Sequence, residues 1–269
     1  MIYRLDKLNE NKINPITNCK YDNSWIILVL TDSKDYKQMC GSNSGCAYTV
    51  KVSRLTKKNW EISVGDFISF CRANNKNAIL VMSESDLYIA KNRYGNHKYN
   101  DAFLREEEPS ILVHSTSLES WEQIQYDKML KSWNILKKSG TIEEEKPIGA
   151  LLGDPADFSD YIMFGSGITG EIIVNSKQQG KITTEKNAEY LTGARLYFDA
   201  KKIAEDGLLV RDGCHFKVRD TLPLTPYFIW AATWDTIGLT SRTSTPKLFA
   251  ERAEKEFKIF MEKQSEPEA

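Results

Sequence analysis

Residues 111–120 constrain the fold most, because an apolar strand pattern passes there directly into a helix start. The segment opens with Ile-Leu-Val, which is apolar and rich in β-branching and predicts a short buried strand. Thr116 and Glu119 have the spacing of a capping box, in which each side chain reaches the other residue's backbone N–H. We therefore expect a helix to begin immediately after the strand.

His114 and Ser115 stand at this junction, beside the Thr116 hydroxyl. The first N–H groups of a helix have no partner within the helix, so the junction can bind an anion or another polar ligand. A histidine at the end of a strand is equally compatible with an ordinary hydrogen bond inside the protein. Both interpretations stay open from this segment alone.

The composition is that of a soluble globular protein with one large domain or two smaller ones. The chain has 269 residues, 41% of them hydrophobic, with a mean hydropathy of −0.46. No apolar run approaches the roughly 18–20 residues of a membrane span, and the N-terminus lacks the apolar core of a secretory signal. We expect a cytoplasmic protein with no membrane partner. The net charge of −1 gives no general case for nucleic-acid binding.

The cysteines predict neither a disulfide framework nor a metal site. They are five in number and irregularly spaced: Cys19, Cys40, Cys46, Cys71 and Cys214. None forms a Cys-x-x-Cys pair, and no histidine stands at a typical zinc-ligand interval from them. We interpret them as free thiols in a reducing compartment.

The N-terminal part carries short strand patterns separated by polar turns. Residues 25–30 form a continuous apolar run, and residues 47–55 alternate in the manner of a strand. We interpret 61–70 as two strands joined by a tight Gly-Asp turn, and 78–82 as a further strand. These patterns predict a small β-rich, barrel-like domain.

Residues 63–70, Ser-Val-Gly-Asp-Phe-Ile-Ser-Phe, resemble a turn in small barrels of the PUA and ASCH kind. Many members of those families bind RNA or modified bases, so the resemblance implies an RNA partner. Aromatic and basic side chains in the same part could stack on bases and contact phosphates: Trp60, Tyr88, Lys91, Arg93, Tyr94, Lys98 and Tyr99. The alternative is a solvated surface over a packed β-domain.

A charged run closed by Pro109 predicts a domain boundary, which divides the chain into residues 1–108 and 109–269. The second part mixes helix and strand patterns, so the predicted fold class is α+β. We expect a helix after Thr116, strands at 160–164, 171–175 and 194–199, a short helix at 200–207, an Asp212-Gly213 hairpin turn, and a C-terminal helix capped by Thr245 and started by Pro246.

The order of motifs over about residues 111–230 resembles the ADP-ribosyltransferase superfamily, particularly its tRNA 2′-phosphotransferase branch. The shared order is a strand with His-x-Thr and a helix, a strand running into small residues, a strand followed by Asp-Ala, an Asp-Gly hairpin, and a Leu-Pro…Tyr-Phe-Ile exit. The resemblance implies a split β-sheet that binds NAD as a substrate in a cleft.

The resemblance also implies roles for individual residues. His114 would bond the nicotinamide-side ribose, Ser115 would hold the carboxamide, and Thr116 would support the turn. Tyr161, or with less support Phe164, would stack on the nicotinamide. The remaining implied site residues are Ser166 after the second strand and Arg211 and His215 at the third motif, facing a phosphate.

The chain departs from the family at the third motif. Many transferases have a glutamate there, whereas residues 211–220 contain Arg211, His215 and Arg219 and no glutamate. A basic motif suits the phosphotransferase branch, but that branch's Leu-Arg-His and Gly-His-Ser motifs are missing. The interpretations left open are transfer of ADP-ribose to a protein or nucleic acid, NAD-dependent removal of an RNA 2′-phosphate, and nucleotide or RNA binding without turnover. A structural or interaction protein also remains open, and the acceptor and the oligomeric state are left unspecified.

Overall fold

The computed structural model describes residues 1–8, 12–42, 47–95, 103–165 and 167–265. The strands are β1 (Ile2–Leu5), β2 (Trp25–Thr31), β3 (Gln38–Ser42), β4 (Tyr48–Ser53), β5 (Asn77–Val81), β6 (Ile111–Thr116), β7 (Met129–Lys131), β8 (Tyr161–Phe164), β9 (Tyr190–Leu191), β10 (Ala194–Asp199), β11 (Leu209–Arg211), β12 (Phe216–Arg219), β13 (Thr221–Pro223), β14 (Phe228–Ala232) and β15 (Thr243–Ser244). The helices are α1 (Trp60–Ala73), α2 (Glu84–Gly95), α3 (Leu118–Asp127), α4 (Trp133–Lys138), α5 (Thr169–Gln179), α6 (Ala200–Glu205) and α7 (Pro246–Ser265). The predicted α+β class is confirmed.

The chain divides into two compact units that are not continuous in sequence. Unit 1 contains Met1–Asp101, Gly149–Ser159 and Leu209–Lys217. Unit 2 contains Ala102–Ile148, Asp160–Leu208 and Val218–Ala269. The predicted division into 1–108 and 109–269 stays a prediction. Two later segments, Gly149–Ser159 and Leu209–Lys217, belong to the N-terminal unit as well.

Unit 1 is built on an open five-stranded sheet of order β1-β5-β2-β4-β3. Three neighbouring pairs are parallel, and β3 alone runs antiparallel to its neighbour β4. Parallel strands need a crossover connection, and α1 supplies the one between β4 and β5, which lie on either side of β2. The barrel-like prediction is therefore corrected, because β1 and β3 are edges of an open sheet.

The prediction of two strands at 61–70 is wrong, because this segment lies in the single helix α1. Val64, Phe67, Ile68 and Cys71 are buried and follow one another at the spacing of a helix face. The Gly-Asp pair misled the prediction, because glycine and aspartate in the middle of a helix resemble a turn. The turn of the PUA and ASCH kind is thus absent.

Unit 2 is organised around the antiparallel sheet β14-β10-β6. The helix α7 packs on it, with the Phe257 ring stacked on Tyr197 at 4.0 Å between ring centroids. Its predicted start is confirmed, because Thr245 Oγ1 accepts a hydrogen bond from the Leu248 N–H at 3.1 Å and Pro246 is the first helical residue. The strand predicted at 171–175 is wrong, because this segment lies in α5.

The reason lies in the spacing of the buried residues of α5. Glu171, Val174 and Asn175 are buried at positions i, i+3 and i+4, which is helical. Gly180 then ends the helix with a left-handed φ of 62°.

Among the described residues, no helix is both long enough and apolar enough to cross a membrane.

We predict that Phe67→Ala lowers the free energy of unfolding by about 3–5 kcal/mol, because the ring is fully buried in α1 and its removal leaves a cavity. The measurement is urea unfolding followed by circular dichroism. Tyr88→Ala on α2 is the matched control; this ring is 66% exposed, and we expect a change within about 0.5 kcal/mol. Equal effects of the two substitutions would contradict the helical packing of α1.

Candidate functional site

His114 lies on β6 opposite Leu196 of β10. Its Nδ1 is 3.0 Å from the Met163 carbonyl oxygen. Since a carbonyl only accepts, Nδ1 carries the proton and donates it. Burial lowers the pKa of His114, although the hydrogen bond to Met163 opposes the shift. The ring is therefore neutral near pH 7, and Nε2 has a lone pair with which it can accept a hydrogen bond.

Ser115 is held by a buried ion pair. Its hydroxyl donates to Glu171 Oε1 at 2.7 Å. Arg195 donates from Nη1 to both oxygens of Glu171 at 3.0 Å, and from Nη2 to Glu254 at 2.5 Å. Gly170 permits this approach, because a Cβ there would lie 2.3 Å from the Ser115 Oγ. The Ser115 hydroxyl therefore already donates its proton within the protein, to Glu171.

Thr116 is still a strand residue and pairs with Ala194. The cap of α3 is Ser117, whose hydroxyl accepts from the Ser120 N–H at 3.1 Å. Glu119 instead forms an ion pair with Arg242 at 3.2 Å. The predicted Thr116–Glu119 capping box is therefore wrong by one residue, because pairing with β10 extends the strand through Thr116.

The aromatic residues predicted on the second strand are both in the core. Tyr161 is only 5% exposed, and the Arg219 guanidinium lies 5.3 Å from the centroid of its ring. Phe164 is also buried and packs edge-on against His114 with 6.2 Å between ring centroids. Ser166 lies outside the described residues.

The predicted residues of the third motif belong to unit 1, whereas His114, Ser115, Thr116 and Tyr161 belong to unit 2. Arg211 is buried on β11. His215 follows the Asp212-Gly213 turn, where Gly213 is required: its φ is +88°, and a Cβ would lie 2.5 Å from the Ser63 carbonyl oxygen. This turn brings His215 to residues that sequence reasoning missed.

Those residues are Cys40, Asp212 and Cys214. His215 Nε2 is 3.0 Å from the Cys40 Sγ, and His215 Nδ1 is 3.0 Å from Asp212 Oδ2. The Asp212 Oδ1 also accepts the backbone N–H groups of Cys214 at 3.0 Å and His215 at 2.7 Å. A carboxylate, an imidazole and a thiol are therefore arranged in series.

The electrostatics of this group favour the ionised forms of Cys40 and His215, whereas the hydrogen bond to Cys40 and burial raise the pKa of Cys214 and keep it a neutral thiol. Hydrogen bonding from the Cys214 thiol and the neighbouring His215 lower the pKa of Cys40 to about 4, although burial opposes the shift. Burial alone would lower the pKa of His215, but the charge of Asp212 raises it to about 10. Lys217, fully buried, donates to Asp212 Oδ2 at 2.6 Å. Near pH 7 the arrangement is a thiolate beside an imidazolium.

Such a group can do one of two things chemically. A thiolate next to an imidazolium oriented by a carboxylate can act as a nucleophile. Alternatively, Cys40, Cys214 and His215 can hold a metal ion, because their ligand atoms all lie within 4.8 Å of one another.

The only local signal for this group is the Cys214-His215 pair beside the turn. Cys40 is 175 residues from His215, so no spacing rule applied to the sequence could have joined them. The prediction of no metal site considered intervals along the chain alone, and it stays a prediction.

Comparisons with protein-family models, with curated proteins and with solved structures found no match. Function is therefore inferred from the described geometry and from the resemblance of motif order.

We predict that His114 makes stability depend on pH below neutrality. Its folded-state pKa is lower than the ordinary value of 6.5, so as the pH falls through 6.5 the unfolded chain takes up a proton that the folded chain resists. The free energy of unfolding, measured in urea at pH 7.5 and 5.5, should fall more in the wild type than in His114→Gln. The same fall in both would contradict the burial of a neutral imidazole.

We predict that Arg195→Met lowers the free energy of unfolding by about 3–5 kcal/mol, because it leaves the fully buried Glu171 carboxylate without its cation. Arg195→Met combined with Glu171→Gln should cost less than the sum of the two single substitutions in a double-mutant cycle. Glu205→Ala, which breaks an exposed ion pair with Lys201, is the control, with about 0.5 kcal/mol expected. Additive effects would show that the buried pair is not coupled.

Proposed function

We propose that the chain is an NAD-dependent transferase of the ADP-ribosyltransferase type, acting on a protein or nucleic-acid acceptor. The observation that carries the proposal is His114, a neutral imidazole on β6 whose ring is fixed through Nδ1. The order of motifs from β6 to β14 supports it, because this order resembles that superfamily.

His114 suits the binding of a ribose. A ribose hydroxyl is a donor, and a neutral imidazole whose Nδ1–H is already engaged offers Nε2 as an acceptor. The hydrogen bond to the Met163 carbonyl holds the ring in one tautomer, so no proton has to be rearranged when the ribose binds. Cleavage of the glycosidic bond of NAD depends largely on such positioning.

Ser115 would contribute through its backbone, and Thr116 would support the turn, as the resemblance implies. The Ser115 hydroxyl is bound to Glu171, so its side chain is not the group that meets a carboxamide. On the outer edge of β6 the Val113 carbonyl oxygen accepts the Gly165 N–H at 2.9 Å, and the alternation of an antiparallel strand directs the backbone groups of Ser115 to this same edge. These groups can pair with an amide in the manner that the resemblance implies for the nicotinamide.

A second candidate is the NAD-dependent removal of a 2′-phosphate from RNA. The exposed Arg219, close to the Tyr161 ring, favours it, because a guanidinium binds phosphate well. Arg211 and His215, to which the resemblance gives phosphate roles, belong to unit 1 and have no part in this candidate, in which RNA would be the acceptor. Binding of RNA to the N-terminal unit stays a prediction, and residues 63–70, on which the resemblance to RNA-binding barrels rested, lie in the helix α1.

Nucleotide binding without turnover is the third candidate, and the burial of Tyr161 favours it. Stacking on a nicotinamide requires an accessible ring face, whereas this ring is 5% exposed. Glu171, paired with Arg195, would serve to hold Ser115 and not to stabilise an oxocarbenium cation.

The test is nicotinamide release from NAD by the purified chain, with and without total RNA or added protein. We expect His114→Ala to lower the release by about 100-fold or more, because one preorganised polar contact in a transition state contributes that much. Tyr126→Ala on α3, at an 84% exposed position, is the control and should leave the release unchanged.

Release that does not depend on His114 would contradict the proposed site. Binding of NAD without any release would support the third candidate, and the absence of both would remove NAD as a ligand. Thermal unfolding of each variant separates loss of activity from loss of fold.

A further inference from the structure

We propose that Cys40, Cys214 and His215 of unit 1 form a binding site for a divalent metal ion of the zinc class. Two thiols and one imidazole are a ligand set that Zn²⁺ prefers. The proposal is independent of the proposed NAD chemistry, which involves β6 of unit 2. It gives His215 a role that differs from phosphate binding.

The distances between the ligand atoms suit a single ion. With Zn–S near 2.3 Å and Zn–N near 2.0 Å, tetrahedral ligand atoms lie about 3.5–3.8 Å apart. The Cys40 Sγ and His215 Nε2 are 3.0 Å apart, and the Sγ of Cys214 completes a triangle whose sides are at most 4.8 Å. The first distance is shorter and the upper limit longer than these separations, so binding an ion requires the side chains to rotate towards tetrahedral positions.

The histidine is oriented as a metal ligand. Metal-bound histidines usually donate their second ring N–H to a carboxylate or carbonyl, which fixes the tautomer. Here His215 Nδ1 faces Asp212 Oδ2 at 3.0 Å, so Nε2 is directed towards the thiols. Asp212 is itself fixed by Lys217 and by the backbone N–H groups of Cys214 and His215. The supporting contacts are therefore built before any ion binds.

The second thiol distinguishes a metal site from a nucleophile. In a catalytic site Cys214 would only donate a hydrogen bond to the Cys40 thiolate, whereas a metal site uses both sulfurs as ligands. Cys214 interacts directly with Cys40, and the carboxyl group of Asp154 interacts electrostatically with both Cys40 and His215. Two sulfurs and nearby carboxylates are an environment that a cation stabilises.

Metal binding would connect distant parts of unit 1. Cys40 lies on the edge strand β3, whereas Cys214 and His215 follow β11 in a segment that returns to the unit late in the chain. Ligands so far apart in sequence are not assembled in an unfolded chain, so the ion binds the folded state and stabilises it. Within the described residues the group has three members, and a fourth coordination position is left for water or another small ligand.

The test uses the full chain, freed of metal with a chelator and kept reduced with a phosphine. Titration with Co²⁺ should give thiolate-to-cobalt charge-transfer absorption that saturates at one equivalent, and Zn²⁺ should abolish it. Zn²⁺ should also raise the melting temperature. Cys40→Ser and Cys214→Ser should each lower the metal affinity by at least about 100-fold, because the loss of a ligand exceeds the loss of an outer contact.

Cys19→Ser is the matched control, because this cysteine is exposed and outside the group; its affinity should equal that of the wild type. Asp212→Asn should keep the one-to-one stoichiometry and lower the affinity about 10- to 100-fold, as expected of a positioning residue. Circular dichroism of each metal-free variant checks the fold, and His215→Asn replaces any variant that does not fold.

The proposal is overturned if the wild type shows no cobalt absorption at one equivalent, or if Cys40→Ser and Cys214→Ser both bind as well as Cys19→Ser. Rapid alkylation of Cys40 by iodoacetamide in a chain that binds neither ion would identify a nucleophile instead. A Cys40–Cys214 disulfide formed without any metal binding would likewise overturn it.

Discussion

The structure depends on the neutralisation of charges that are completely buried. Arg195 in unit 2 and Lys217 in unit 1 are almost without solvent exposure, and each meets a carboxylate that is equally buried, Glu171 and Asp212 respectively. Removing an ion from water costs several kcal/mol, so each pair is stable only with close geometry and further hydrogen bonds. Both pairs have these contacts, and the residues nearest to them are held in fixed positions.

Each pair fixes a candidate site. Glu171 holds Ser115 next to His114, while Asp212 orients His215 towards Cys40. Lys217 is in turn enclosed by aromatic rings, with Nζ 3.8 Å from the Phe70 centroid and 4.1 Å from that of Phe158. Preorganisation of this kind is expected where binding or chemistry depends on position. Each unit thus carries its own candidate site, and in both a buried ion pair holds the site residues in position.

The predictions made from sequence succeeded where local pattern and tertiary packing agree. β6, β8 and β10 were predicted because their apolar residues suit strands, and α7 because Thr245 and Pro246 signal a helix start. They failed at α1 and α5, where short apolar groups fit both a strand and a helix face. The helix start after β6 was predicted one residue early, because sheet pairing with β10 extends to Thr116.

The sequence by itself determined the α+β class, the strands β2, β4, β5, β6, β8 and β10, and the place of His114 on a strand shortly before a helix start, because these follow from periodicity and capping over a few residues. Only the tertiary structure decided the open sheet of unit 1 and the meeting of Cys40 with Cys214 and His215. A contact across 175 residues leaves no trace in local spacing, since it depends on which strands pair and where a returning segment packs. The burial of Arg195 and Lys217 could not be predicted from the sequence either. A charged residue is expected to be exposed unless a buried counter-ion is known, and only the structure shows Glu171 and Asp212 in that position.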